Sequence, residues 1–219
     1  MATYTLARSL PAGTDLRWLT FAEPTPGHTR PGQFVAATIG ERQGYFAIAS
    51  DPGDPLELLI KAEGDPAAAI AGLPEGATLE GSEAMGAGFP LERGADRPLV
   101  CLINGSAMSA ARPVIRAELD RGLPRPVHLI LGVLSPLHIP FGREMRLWAE
   151  AGVDVTIVVD QPADEWTGPV GYVQAIAQQK GLIRDDVTVL LCGVPPMQEA
   201  VLELYTKAGL DPELILMNY

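Results

Sequence analysis

Two strand-to-helix turns carry the residues best suited to chemistry. The first, Asn104-Gly105-Ser106-Ala107-Met108-Ser109, follows the apolar run Leu99 to Ile103 and leads into a helical segment. Backbone N–H groups at a helix start lack intrahelical partners, so Gly105 and Ser106 are candidates to hold a phosphate. An ordinary tight turn accounts for a single glycine as well. The second, Cys192-Gly193-Val194-Pro195-Pro196-Met197, follows Val187 to Leu191. Gly193 lets a ligand approach the backbone, and the prolines set a rigid start to the last helix, which makes Gly193, Pro195 and Met197 candidate binding positions. Cys192, at a strand end, either lines a nicotinamide pocket or is a small buried hydrophobe.

The remaining reactive side chains point away from metal chemistry. Cys101 and Cys192 are the only cysteines, each inside an apolar run. They can assemble neither a disulfide framework nor a zinc or iron-sulfur site. His28, His128 and His138 lack metal-ligand spacing, and no metal is expected.

The elements that must position these turns change character along the chain. Residues 1–94 read as short extended runs separated by turns: Tyr4 to Leu10, Leu16 to Ala22, Gln33 to Ile39, Tyr45 to Ala49, Leu56 to Lys61 and Thr78 to Gly81, with one helix at Pro66 to Leu73. That spacing predicts a small antiparallel β-barrel. The charged, Gly- and Pro-bearing stretch Arg93 to Pro98 marks a domain boundary, with the second domain at 95–219. Beyond it, the unalternating runs Leu99 to Ile103, Val127 to Val133, Val153 to Val159 and Val187 to Cys192 predict parallel strands covered on both faces. Helices are expected near Ser109 to Arg121, Arg143 to Ala151, Gly171 to Lys180 and Met197 to Ala208, which gives a doubly wound α/β sheet.

Bulk properties narrow the partners. The 219 residues suffice for two modest cores, and a formal charge of -11 repels phosphate backbones and anionic lipid heads. Nucleic acid is therefore excluded as an expected partner. No stretch approaches the roughly 18 uninterrupted apolar residues of a membrane span, and the start of the chain lacks a long apolar leader region. A cytoplasmic protein is expected.

The order barrel, glycine turn, then Cys192-Gly193-Val194-Pro195-Pro196-Met197 and a short tail resembles the ferredoxin-NADP reductase superfamily, and within it the plant fruit-protein type of FAD/NAD(P)-binding oxidoreductase. The segments that carry the resemblance are Phe46-Ala47-Ile48-Ala49-Ser50, Met85 to Phe89, Trp166-Thr167-Gly168 with Gly171 to Gln174, Leu191-Cys192-Gly193, and the tail Ile215 to Tyr219. The resemblance implies FAD on the barrel, a nicotinamide dinucleotide on the α/β domain, and hydride transfer across the cleft between them, with an acceptor protein or larger redox complex downstream. It implies flavin contacts at Phe46, Ala47, Ile48, Ala49, Ser50, Ile60, Lys61, Ala67 and Ala68, and dinucleotide contacts at Gly105, Ser106, Gly193, Pro195 and Met197. Cys192 and Tyr219 are the implied catalytic positions, Tyr219 as an aromatic shield over the flavin.

The chain departs from the family pattern at several cofactor positions. The family's Arg-x-Tyr-Ser becomes Gly44, Tyr45, Phe46 and Ala47, so Phe46 can stack but no charge or hydroxyl remains, and Arg42 stands two residues away. A glycine-rich turn ending in a hydroxyl becomes Gly64-Asp65-Pro66-Ala67-Ala68, where Asp65 beside a diphosphate is repulsive unless it caps the helix. Two glycines are lost in the 104–110 turn, and Leu134-Ser135-Pro136-Leu137 stands where the family often has an arginine for the adenosine phosphate. A strong NADPH preference is therefore not expected. Two readings stay open: a divergent FAD-dependent NAD(P)H oxidoreductase, or a cofactor-poor reductase-like subunit that binds a partner protein. A third, an adenine-nucleotide module without redox chemistry, is disfavoured by the altered turn.

Overall fold

Alternating apolar and polar residues shape the first half of the chain. The structure is a computed structural model and describes residues 1–217. Strand β1 (Ala2–Pro11) buries Tyr4 and Leu6, and β2 (Leu16–Pro24) buries Leu16, Leu19 and Phe21. With β3 (Phe34–Ile39), β4 (Arg42–Ala47), β5 (Pro55–Lys61) and β6 (Thr78–Gly81) they form one antiparallel sheet in the order β4-β3-β6-β1-β2-β5. The two edges meet: Ile48 bridges Leu58, and the Ala49 N–H donates to the Glu57 carbonyl at 2.8 Å, curling the sheet into a near-closed barrel. Helix α1 (Ala67–Ala71) plugs one end with Ile70 and Ala71. Each fully buried Leu or Phe here contributes roughly 1.5–3 kcal/mol.

Continuous apolar runs build the second sheet. Strands β7 (Leu99–Asn104), β8 (Val127–Val133), β9 (Asp154–Val159), β10 (Thr188–Cys192) and β11 (Ile215–Met217) lie in the order β11-β10-β7-β8-β9, every neighbouring pair parallel. Helices α2 (Met108–Asp120) and α3 (Gly142–Glu150) cover one face, and α4 (Val173–Gln179) and α5 (Pro195–Lys207) the other. The run Leu99 to Ile103 needs no polar alternation because Leu99, Cys101 and Ile103 face the first helix pair while Val100 and Leu102 face the second. The strand order reverses between β7 and β10, where such sheets open a crevice at their carboxyl ends.

The structure shifts several expected bounds. Strand β4 starts at Arg42 and stops at Ala47 rather than running from Tyr45 to Ala49, because Ile48 and Ala49 leave it to pair with β5. Helix α5 starts at Pro195 rather than Met197, since proline's fixed φ and missing N–H suit a first helical turn. Strand β11, which the sequence pattern did not signal, forms by pairing in register with β10, Leu216 beside Leu190.

A buried arginine ties the two sheets together. Arg112, inside α2 and only 4% exposed, donates from Nε to Glu144 of α3 at 2.7 Å and from Nη1 to the Ala49 carbonyl at 2.7 Å, and it pairs with Glu57 of β5. Its guanidinium also lies over the rings of Trp18 and Phe141, 5.2 and 4.9 Å from their centroids. At the same junction, the Thr14 N–H in the β1–β2 turn donates to the Leu137 carbonyl at 2.9 Å. Gly13 at φ +116 permits that approach, for a Cβ there would stand 3.1 Å from the same carbonyl. These contacts fix the barrel against the carboxyl edge of the parallel sheet.

Candidate functional site

The crevice at the strand reversal is built around Asn104. A Cβ on Gly193, just beyond β10, would stand 2.9 Å from Asn104 Cβ, and one on Gly132, in β8, would stand 3.4 Å from Asn104 Nδ2. Both glycines thus let three strand ends close around one carboxamide. Gly105, at φ +54, has open space where a Cβ would point, so its backbone is accessible to a ligand. This crevice is continuous with the barrel wall. One cleft of about 740 Å³ is lined by Asp15, Leu16, Tyr45, Phe46, Ala47, Leu59, Ile60, Lys61, Glu63 and Ala67 on the barrel side. The sheet side supplies Asn104 to Ala107, Ser109, Gly132 to Leu134, His138 and Gly193 to Pro195. Its size is that of a cofactor pocket.

Of the residues singled out from sequence, Phe46, Ala47, Ile60, Lys61, Ala67, Gly105, Ser106, Gly193 and Pro195 line this one cleft. Ile48, Ala49 and Ser50 lie buried behind it: Ile48 closes the barrel, the Ala49 carbonyl receives Arg112, and the Ser50 hydroxyl accepts from the Glu57 N–H at 3.2 Å. Ala68 is exposed outside the cleft. Met197 is buried beneath Gly193, its sulfur 3.0 Å from where a Cβ would sit, and Cys192 is 6% exposed within the core under α2 and α3. Tyr219 lies outside the described residues. In the loop Met85 to Phe89, Met85 to Ala87 are exposed outside the cleft lining while Phe89 is buried against Gly32.

Sequence reasoning missed Asp15, Tyr45, Asn104 and His138. Asp15 and His138 meet only because the β1–β2 turn docks on the segment after β8; His138 Nε2 stands 4.0 Å from Asp15, and its Nδ1 lies 2.8 Å from Ser135 Oγ. Nothing in the local sequence signals that contact. Asn104 immediately before Gly105 was the one legible cue.

The charges in the cleft are already paired. Lys61 is the sole lysine or arginine among the described lining residues, and it lies 2.5 Å from Glu63 and 3.7 Å from Asp15. The Glu63 hydrogen bond holds the Lys61 ammonium above its ordinary pKa, and the same contact holds the Glu63 carboxyl below its own. Arg42 pairs with Asp65 at 2.5 Å, at the start of α1. At Gly44 a Cβ would meet the Phe46 ring and Pro66 at 2.9 Å, so the place of an arginine is filled by apolar side chains. The first N–H groups of α5 are missing because Pro195 and Pro196 open it. FAD therefore fits in part: its ring would have an apolar wall of Phe46, Leu59 and Ile60 with exposed Tyr45 beside it, while its diphosphate would meet no unpaired cation among the described lining residues. Among the described residues, no group of three or more His, Cys, Asp or Glu is placed to hold a metal, and no helix is long and apolar enough to cross a membrane.

A barrel joined to a parallel sheet in the order β9-β8-β7-β10-β11, with one cleft shared between them, defines a two-domain dinucleotide-reductase type of protein. The oxidoreductase NAD-binding domain family matches residues 102–203. The fruit protein pKIWI502 of Actinidia deliciosa is 30% identical over 207 residues, covering 86% of this chain and 65% of that protein. The reductase component of propane 2-monooxygenase from Rhodococcus jostii (strain RHA1) is 29% identical over 214 residues, 90% of this chain and 56% of that one. The chain thus spans less than two thirds of the length of these relatives. A crystal structure of a ferredoxin NADP+ reductase from Neisseria gonorrhoeae with bound FAD and NADP superposes with a TM-score of 0.83 at 19% identity, over 99% of this chain and 97% of that one. The chain has the two-domain fold of the ferredoxin-NADP reductases, with an oxidoreductase NAD-binding match in its second half.

Proposed function

We propose that this chain is a flavin-dependent oxidoreductase that takes reducing equivalents from a nicotinamide dinucleotide and passes them to a separate acceptor. The observation that carries the reading is the shared cleft: Phe46 on the barrel and the Asn104, Gly105 and Gly193 turn at the strand reversal line one space, so two planar rings can be brought together there. FAD is the flavin that the family and the Neisseria gonorrhoeae structure suggest. A bound flavin would accept a hydride from the nicotinamide. The protein's own part is to offer an aromatic face at Phe46 and Tyr45, to hold the dinucleotide against the Gly105 backbone, and to exclude water with Leu16, Leu59 and Ile60. The relative that is a reductase component supports an acceptor protein as partner. With a formal charge of -11, this chain would dock more readily on a basic or neutral acceptor than on an acidic one.

A cofactor-poor binding module is the second reading, favoured by the filled place at Gly44 and the pairing of Arg42 with Asp65. One experiment separates the two. Purified protein is titrated with flavin, the visible spectrum of the bound ring is recorded, and NADH is added without oxygen. A shifted flavin spectrum that bleaches with NADH supports the oxidoreductase; a protein that takes up no flavin supports the binding module.

A further inference from the structure

We propose that the barrel site recognises the isoalloxazine ring of a flavin and not its phosphates, so that riboflavin, FMN and FAD bind with like affinity. The inference rests on the flavin reading above and deepens it. The barrel half of the cleft carries one cation, Lys61, and two carboxylates, Asp15 and Glu63, and outside its lining Arg42 of β4 pairs with Asp65, so each cation is already in an ion pair. A diphosphate entering there would find no unpaired positive charge and a net negative wall. The strand position from which a longer side chain could reach a phosphate, Gly44, has its Cβ direction filled by Phe46 and Pro66. The sheet half of the cleft adds no lysine or arginine, and prolines at the start of α5 remove two donors. What remains is apolar and ring-shaped in its demands: Phe46, Tyr45, Ala47, Leu59 and Ile60. A ring held by its faces exchanges with solution, so the flavin behaves as a diffusible substrate rather than a resident group.

The test is an equilibrium titration of the full chain with riboflavin, FMN and FAD, read by quenching of flavin fluorescence at low and moderate salt. The three dissociation constants are expected to agree within about threefold at moderate salt, with the phosphorylated flavins weaker at low salt where repulsion is unscreened. FAD binding about thirtyfold or more tighter than riboflavin overturns the inference and leaves the flavin reading standing, whereas failure of all three flavins to bind overturns both. Two variants sharpen the reading. Asp65→Asn frees Arg42 and is expected to tighten FMN and FAD by up to about fivefold, the scale of an exposed ion pair, with riboflavin unchanged. Arg42→Ala is expected to change none of the three; a selective loss of FAD binding in that variant overturns the inference.

Discussion

At the residue scale, the proposed flavin binding rests most on Phe46. Its ring is half-buried, packed over Gly44 and Pro66, and lines the cleft. Stacking on an aromatic is worth roughly 1–3 kcal/mol, so Phe46→Ala is expected to weaken flavin binding about tenfold while Phe46→Tyr keeps it, as a fluorescence titration would read. His28 sets an acid limit on stability instead. It is buried, and burial outweighs its polar contact with the Arg30 backbone, holding its pKa below the ordinary 6.5. The unfolded chain then binds a proton that the folded one refuses, so stability is full above pH 6.5 and falls as pH drops below it. Urea midpoints measured from about pH 7 to 5.5 should decline in the native chain and decline less in His28→Leu.

At the element scale, α2 does two jobs. The 3-10 turn Gly105–Ala107 that leads into it lines the cleft, and its own residues carry Arg112 into the junction between the sheets. Removing that guanidinium strands two carboxylates, Glu57 and Glu144, that are 17% and 24% exposed. Arg112→Met is therefore expected to cost about 3–5 kcal/mol in urea unfolding. Adding Glu57→Gln and Glu144→Gln should recover part of that loss, since much of it is the cost of unpaired charge. Arg112→Lys should also lose stability, because one ammonium cannot serve Glu144, Glu57 and the Ala49 carbonyl in their fixed directions.

At the scale of the whole molecule, the charge distribution bears on the proposed use of a dinucleotide. Among the described lining residues, the segment after β8 supplies Leu134 and His138 and no arginine, and Lys61 is engaged by Glu63 and Asp15. The additional phosphate of NADPH would meet no unpaired cation among them. With an artificial acceptor and added flavin, kcat/KM for NADH and NADPH should differ by less than about tenfold near neutral pH, and a large NADPH advantage in steady-state assays would count against this account of the cleft.

The sequence by itself determined the layers of this protein. Alternation in Leu16 to Ala22 and unbroken apolar runs such as Val127 to Val133 state how many faces of each strand are covered, and that is a local property of the chain. The glycine turns at Gly105 and Gly193 were legible for the same reason, since strand-to-helix turns are written in consecutive residues. Tertiary structure alone decided what those turns face. The engagement of Lys61 with Asp15, the meeting of Asp15 with His138, and the burial of Arg112 against Glu57 and Glu144 join residues 32 to 123 positions apart or lie across separate strands. Pair interactions between distant residues leave no periodic trace in a single sequence. The electrostatic character of the cleft, and with it the ligand it selects, was therefore set only when the barrel and the sheet came together.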